Sequence, residues 1–279
     1  MKNKAKIIFG FILLLFLMPI IVEKLGNDSR EIPKVLIKDK AKITNATKPI
    51  LAKKLKTNSK SITNATNSSM KVLLLFTHSH EAFIPIVKKE SSKVAVYHNT
   101  NNISSFEDII KKHFSSRSID AEFLNFDTMS EMEKTKRTFP EAYDVIRPVI
   151  TSQLHKRNYD LIIDLHRDSE KRNKTSITFK GETFGKLYFV VGENNPNYTS
   201  NKGYAQHIST HLNELIPGIS KGVLGKKGDN VDGVYNQDLA KNMVLIELGG
   251  IENTKDEIDR TLSVLTTAIS IVLKDETTS

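Results

Sequence analysis

The chain of 279 residues contains no cysteine. That absence removes disulfides, thiolate metal sites, iron–sulfur clusters and a thiol nucleophile together, so any metal site must be built from histidine and carboxylate. Tryptophan is absent as well, and the 7 tyrosines and 13 phenylalanines are not interleaved with basic residues as stacking platforms. Sequence-specific nucleic-acid recognition is disfavoured on that ground.

What is present is enough for a folded protein. A hydrophobic fraction of 39% excludes wholesale disorder, and the length suits one large domain or two small ones. The formal net charge of +9 suits a polyanionic partner such as an acidic wall polymer, anionic lipid or nucleic acid. Much of that excess falls in the lysine-rich first 60 residues, where it reads equally well as a solvated tether.

Three lysines (Lys2, Lys4 and Lys6) precede an uncharged run from Ile7 to Val22. This is the pattern of a transmembrane signal anchor with a cytoplasmic N-terminus and the remainder outside the membrane. The small residues of a cleavage site are missing from the Ile21-Val-Glu-Lys-Leu-Gly stretch that follows, which favours a retained anchor. Residues 1–25 are therefore expected to be a basic stub and membrane anchor. Residues 26–69 turn rich in Lys, Asn, Thr and Ser, with Ile-Thr-Asn-Ala-Thr repeated at Ile43–Thr47 and Ile62–Thr66, and read as a low-complexity linker. A folded domain is expected over 70–279.

Apolar runs predict strands at Val72–Phe76, Val94–Tyr97, Glu122–Phe126, Leu161–Leu165, Leu187–Val191 and Val244–Leu248. Helices are predicted between them: one capped by Ser105, one opened by the capping box Thr138-Phe-Pro-Glu141 and running to about Lys156, one over Thr199–Leu215, and one opened by Thr254-Lys-Asp-Glu257. Strands alternating with helices predict an α/β fold with a mixed, largely parallel sheet flanked by helices.

The chemistry-bearing residues lie at strand ends. The first strand runs into Thr77-His-Ser-His-Glu81. If the strand continues, His78 and His80 share a face; if the chain turns after Phe76, His78 and Glu81 meet at a spacing of three. Either arrangement can bind a metal. His166 ends a second apolar strand, Leu161-Ile-Ile-Asp-Leu165, with Arg167 and Asp168 beside it, which could hold the imidazole or bind an anionic substrate group. Glu247 interrupts the apolar Met243-Val-Leu-Ile-Glu-Leu-Gly-Gly250, where an ionised carboxylate needs a partner and burial can raise its pKa into the range of an acid–base catalyst. His207 and His211, four apart on a predicted helix, have a metal-compatible spacing but read first as a partly exposed helix face. His98, His113 and His155 stand in no persuasive pattern.

Five ordered segments together resemble the stage II sporulation protein P family of cell-wall hydrolases. They are Thr77–Pro85, Ile163–Asp168, Val190–Tyr198, Tyr235–Leu239 and Leu245–Thr254, spanning nearly all of 70–276. The family is similar to zinc-dependent N-acetylmuramoyl-L-alanine amidases, and the resemblance implies that fold and a Zn2+ cofactor. Its Thr-His-x-x-Glu pattern implies His78 and Glu81 as ligands, with His80 at a variable position and so only an alternative ligand. Asp-x-His-Arg-Asp implies His166 as third ligand, and Ile-Glu-Leu-Gly-Gly implies Glu247 as the catalytic carboxylate. Arg167 and Asn195 are candidates for holding substrate. The implied partners are peptidoglycan, the cell membrane and other wall-remodelling proteins of sporulation; cleavage of peptide cross-links is a second implied activity. Upstream of Met70 the family commonly carries a longer extracytoplasmic region than the linker found here. Two other readings are a non-catalytic wall-binding module on a degenerate amidase fold and a zinc peptidase, though the chain has no His-Glu-x-x-His.

Overall fold

The structure is a computed structural model that describes residues 69–278. The expected membrane anchor and nearly all of the linker lie outside the described residues. Among the described residues no helix is long and apolar enough to cross a membrane.

Six strands form the central sheet: β1 (Met70–Leu75), β2 (Ile119–Phe123), β3 (Leu161–Asp168), β6 (Leu187–Gly192), β7 (Ser220–Lys226) and β8 (Met243–Gly250). Between β3 and β6 the chain makes a separate hairpin of β4 (Ser176–Phe179) and β5 (Glu182–Gly185). The sheet order is β2-β1-β3-β8-β6-β7, and every pairing is parallel except β6 with β8. The sheet is therefore mixed and largely parallel, as the alternation of strands and helices predicts. The helices are α1 (Ile84–Ser91), α2 (Glu107–Ser115), α3 (Thr128–Thr135), α4 (Ala142–Lys156), the short α5 (Arg172–Thr175), α6 (Tyr198–Leu215) and α7 (Lys255–Thr278).

Strand periodicity of two divides the core. Val72, Leu74, Leu161, Ile163, Val244 and Ile246 point to one face and pack against Phe83, Ile110, Phe114, Ile208, Leu212, Leu262 and Ile269. Leu73, Leu75, Ile162 and Met243 point to the other, where Ile146 and Ile150 of α4 cover them. Each such buried aliphatic side chain contributes about 1.5–3 kcal/mol. Beyond these residues the second face changes character, and the positions in phase with them are Thr77, Asp164, His166 and Glu247. Apolar packing thus ends where the polar cluster begins, at the carboxyl ends of β1, β3 and β8.

Both capping boxes form. The Glu141 carboxylate accepts the Thr138 amide at 2.7 Å and its hydroxyl at 2.8 Å, opening a 3-10 turn that leads into α4. Thr254 and Glu257 exchange backbone and side-chain bonds at the start of α7.

Four expectations need correction. Val94–Tyr97 is not a strand: Val94 is 71% exposed, and a single bridge from Tyr97 to Glu81 ties the segment down. The strand expected at Glu122–Phe126 lies at Ile119–Phe123, because Ile119 pairs with Met70 and is the residue the core takes up. Ser105 does not cap a helix: it lies inside the 3-10 turn Ile103–Phe106 that leads into α2, and that turn is capped by Asn102, whose side chain accepts the Ser104 amide. The strands β4, β5 and β7 were not expected, since a short hairpin and a glycine-interrupted edge strand carry little apolar periodicity.

Candidate metal centre

The chain turns after Phe76, so of the two arrangements open to Thr77–Glu81 the second applies. The Glu81 amide donates to the His78 carbonyl at 3.0 Å, and His78 Nδ1 comes within 3.7 Å of Glu81 Oε1. From β3, His166 Nδ1 approaches Glu81 Oε2 at 3.8 Å. Single donor atoms from His78, Glu81 and His166 all lie within 4.8 Å of one another.

Each donor is oriented from behind. The Arg167 amide donates to Glu81 Oε2 at 2.7 Å. Behind His166 sits Asp164, with Oδ1 3.1 Å from Nε2. Asp164 is fully buried and accepts the Thr77 amide at 3.0 Å and the Thr77 hydroxyl at 2.7 Å, joining the ends of β1 and β3. Phe139 stacks on the His78 ring at 4.2 Å, and Tyr143 meets it edge-on at 5.7 Å.

The electrostatics call for a cation. Burial alone would make His166 harder to protonate, yet the Asp164, Glu81 and Glu247 carboxylates raise its pKa to about 10. Burial pushes Glu81 up, but the neighbouring His78, His166 and Arg167 outweigh it and hold Glu81 below its usual range. Asp164 is likewise lowered against its burial by His166 and Thr77. Two imidazoles and one carboxylate, held close together among excess negative charge, are a donor set that suits zinc. His78, Glu81 and His166 can therefore hold such an ion.

Glu247 lies in register with His166 on the neighbouring strand. Its Oε2 is buried without a hydrogen-bond partner. Burial, with Glu81 and Asp168 adding to it against His166 and Arg167, raises its pKa to about 7. Such a carboxylate can both accept and release a proton near neutral pH.

Two expected residues stand apart. His80 is turned away: its Nε2 lies 3.0 Å from Asp127 Oδ2, and Asp127 caps α3. Asn195 belongs to another end of the sheet. Because β6 runs antiparallel to β8, with Tyr188 opposite Glu247 and Val190 opposite Leu245, the carboxyl end of β6 points away from Glu247. Both atoms of the Asn195 amide are used in its own turn, with Nδ2 donating to Gly192 O at 2.6 Å and Oδ1 accepting from the Asn197 amide at 2.7 Å. Arg167 is buried, donating to the Val96 carbonyl at 2.8 Å and lying 5.7 Å from the Tyr97 ring centre; it braces the loop beside the site. His207 and His211 do not group with a carboxylate as metal donors among the described residues; His211 Nδ1 lies 2.8 Å from Glu214. His113 has an acidic neighbour that the sequence does not signal, Asp259 at 2.6 Å.

The sequence reading gives no role to Asp164, Phe139 or Tyr143. Asp164 carries the same mark as Glu247, a carboxylate inside an apolar strand, and could have been found by it. The aromatic residues have no local signal.

The sequence profile described as Stage II sporulation protein P (SpoIIP) matches residues 22–270. Stage II sporulation protein P of Bacillus subtilis (strain 168) is 32% identical over 197 residues, covering 70% of this chain and 49% of the relative. The chain thus spans about half the length of that curated relative. Among solved structures, the CwlD amidase of Clostridioides difficile in complex with the GerS lipoprotein has a TM-score of 0.46 at 13% identity, covering 74% of this chain and 97% of its own. An N-acetylmuramoyl-L-alanine amidase of Clostridium difficile 630 has 0.44 at 11% identity, covering 75% and 98%. A metallo-carboxypeptidase of Burkholderia cenocepacia has 0.42 at 10% identity, covering 76% and 59%. On the match to its profile and its curated relative, the chain belongs to the stage II sporulation protein P family.

Proposed function

We propose that the protein is a zinc-dependent peptidoglycan hydrolase of sporulation that cleaves the amide between N-acetylmuramic acid and the L-alanine of the stem peptide. The observation that carries the reading is the unpartnered Glu247 carboxylate in register with His166, beside the His78–Glu81–His166 group. Zinc bound by those three residues would supply Lewis acidity, acidifying a water and polarising the scissile carbonyl.

The remaining steps fall to the chain's own groups. Glu247, buried without a hydrogen-bond partner beside His166, takes a proton from the attacking water and delivers it to the leaving amine nitrogen of alanine. Asp164 fixes the orientation and tautomer of His166 through Nε2, and the Arg167 amide fixes Glu81. The Phe139 and Tyr143 rings pack against His78 and hold its imidazole in place. Membrane anchoring through residues 1–25, a reach set by the linker over 26–69, and an extracytoplasmic catalytic domain over 70–279 are parts of the same proposal. The first 69 residues hold 14 Lys+Arg against 4 Asp+Glu, which supports a basic tether beside the membrane in place of a nucleic-acid surface on the domain.

The test is to incubate the full chain in detergent with purified peptidoglycan, with and without a zinc chelator, and identify the released fragments by mass spectrometry. Stem peptides with a free N-terminal alanine, lost on chelation and in Glu247→Gln, are expected. Release that persists in Glu247→Gln, or no release at all, sinks the reading. Fragments cut within cross-links would reveal the second activity that the family resemblance implies.

A further inference from the structure

Beside the metal centre, on the flank away from the aromatic rings, the same sheet face holds a second groove of about 420 Å³. Its wall includes Asp168, Glu170, Tyr188 and Lys221, with Val223 and Leu224 along one side. The groove is polar and charged. On the other flank of the cluster, a cavity of about 580 Å³ is walled by His78, Phe139, Tyr143 and Tyr235. The donors and Glu247 lie between a charged groove and an aromatic one.

Lys221 is placed by a local irregularity. Leu187 pairs with Ser220 but Phe189 pairs with Val223, so Lys221 and Gly222 both stand opposite Tyr188. Gly222 has φ +94, a conformation that side-chain-bearing residues rarely adopt. Such an inserted residue re-aims the side chain beside it. Here it carries the Lys221 ammonium over the Tyr188 ring, 4.3 Å from its centre, and within 2.7 Å of Asp168 Oδ2. Tyr188 is in turn the cross-strand partner of Glu247, so Lys221 is held two strands from the catalytic carboxylate. An ammonium has three N–H donors, and this contact with Asp168 uses one.

We propose that this groove is the stem-peptide subsite, and that Lys221 is a specificity-determining residue that takes the free carboxylate on the second residue of the peptide. The proposal rests on the hydrolase reading above. Its substrate has a sugar ring on one side of the scissile amide and a peptide on the other. Aromatic faces suit the C–H surface of a sugar, and a fixed ammonium suits a carboxylate a few bonds beyond the alanine nitrogen. In wall stem peptides the second residue is a γ-linked glutamate whose α-carboxyl is either free or converted to a carboxamide, and that difference is what Lys221 reads.

The experiment uses the zinc-loaded full chain and two N-acetylmuramoyl peptides that differ only in carboxylate or carboxamide at the second residue. The wild type is expected to show a KM about 10-fold or more lower for the carboxylate, the size expected of a charge-assisted hydrogen bond. Lys221→Gln should raise that KM to the carboxamide level with little change in kcat, while Lys221→Arg keeps the preference. Calorimetry with the isolated carboxylate and carboxamide stem peptides reads the same contact without hydrolysis. Hydrolysis of both substrates with equal KM, or a preference that survives Lys221→Gln, overturns the subsite and leaves the hydrolase reading standing. Lys221-dependent binding of the carboxylate peptide without hydrolysis keeps the subsite and removes the hydrolase reading. Neither binding nor hydrolysis overturns both.

Discussion

The two ends of the central sheet handle buried polar groups in opposite ways. At the carboxyl end of β6 they are largely paired, with Asn201 Oδ1 the exception. Asn195 closes its own turn with both amide atoms, and Gln237 accepts the Gly192 amide at 3.0 Å while donating to the Val190 carbonyl at 2.8 Å. At the carboxyl ends of β3 and β8, Arg167 Nε and Glu247 Oε2 are buried without a hydrogen-bond partner. An unpaired buried polar atom costs about 1–3 kcal/mol, so the pair beside the His78–Glu81–His166 group marks a place where the fold gives up stability. The paired end is built for rigidity; the proposed function assigns binding and proton transfer to the other.

Substitutions at the two ends should therefore separate activity from stability. The largest effect is expected for Glu247→Gln, which should lower peptidoglycan hydrolysis by about 10²- to 10⁴-fold with no loss of melting temperature, measured by fragment release and calorimetry. Asp164→Asn should weaken zinc binding by about 10- to 100-fold, read by competition with a chromogenic chelator. A third expectation concerns pH. Glu247 is raised in the folded chain from 4.5 to about 7, so folding favours its protonated form. Its contribution to stability is fully present below about pH 4.5 and is lost as pH rises through about 7. In the metal-free chain Glu247→Gln should thus gain stability relative to wild type above pH 7, seen in urea melts at pH 5 and pH 8. Equal differences at both pH values would show that Glu247 titrates normally.

At the opposite end, Asn195→Ala should cost about 1–2 kcal/mol of stability with kcat unchanged. A loss of activity at constant stability would bring Asn195 back as a substrate contact and break the division between the two ends. The smallest effect is expected for His80→Ala. Its contact with Asp127 is worth about 0–1 kcal/mol and zinc affinity should not move.

The residues most legible in the sequence are those that violate a local rule. Glu247 stands out as a carboxylate within Leu245-Ile-Glu-Leu, and the histidines stand out at the ends of apolar runs. Asp164 breaks the same rule within Ile163-Asp-Leu165, two residues from His166 on the same strand face, yet its bonds to Thr77 form only once β1 is brought alongside β3. The strands β1, β3, β6 and β8 are legible because continuous apolar runs can be buried on both faces. The expected strand over Val94–Tyr97 fails because its residues find no such burial. Lys221, Tyr188 and Phe139 are ordinary residues in ordinary sequence. Their proximity to the centre arises from pairings between distant strands and from the capping turn that presents Phe139.

The sequence by itself determined the donor types, since a chain without cysteine has only imidazole and carboxylate to offer a metal, and it determined the apolar runs that become the central strands. Tertiary structure decided which donors meet. The turn after Phe76 selected Glu81 and sent His80 to Asp127, and the register of β3 with β8 put Glu247 beside His166. The reversal of β6 carried Asn195 away from that end and brought Tyr188 and Lys221 towards it. Periodicity fixes the face on which a side chain lies, whereas the direction and register of neighbouring strands fix what it touches, and no single segment encodes that.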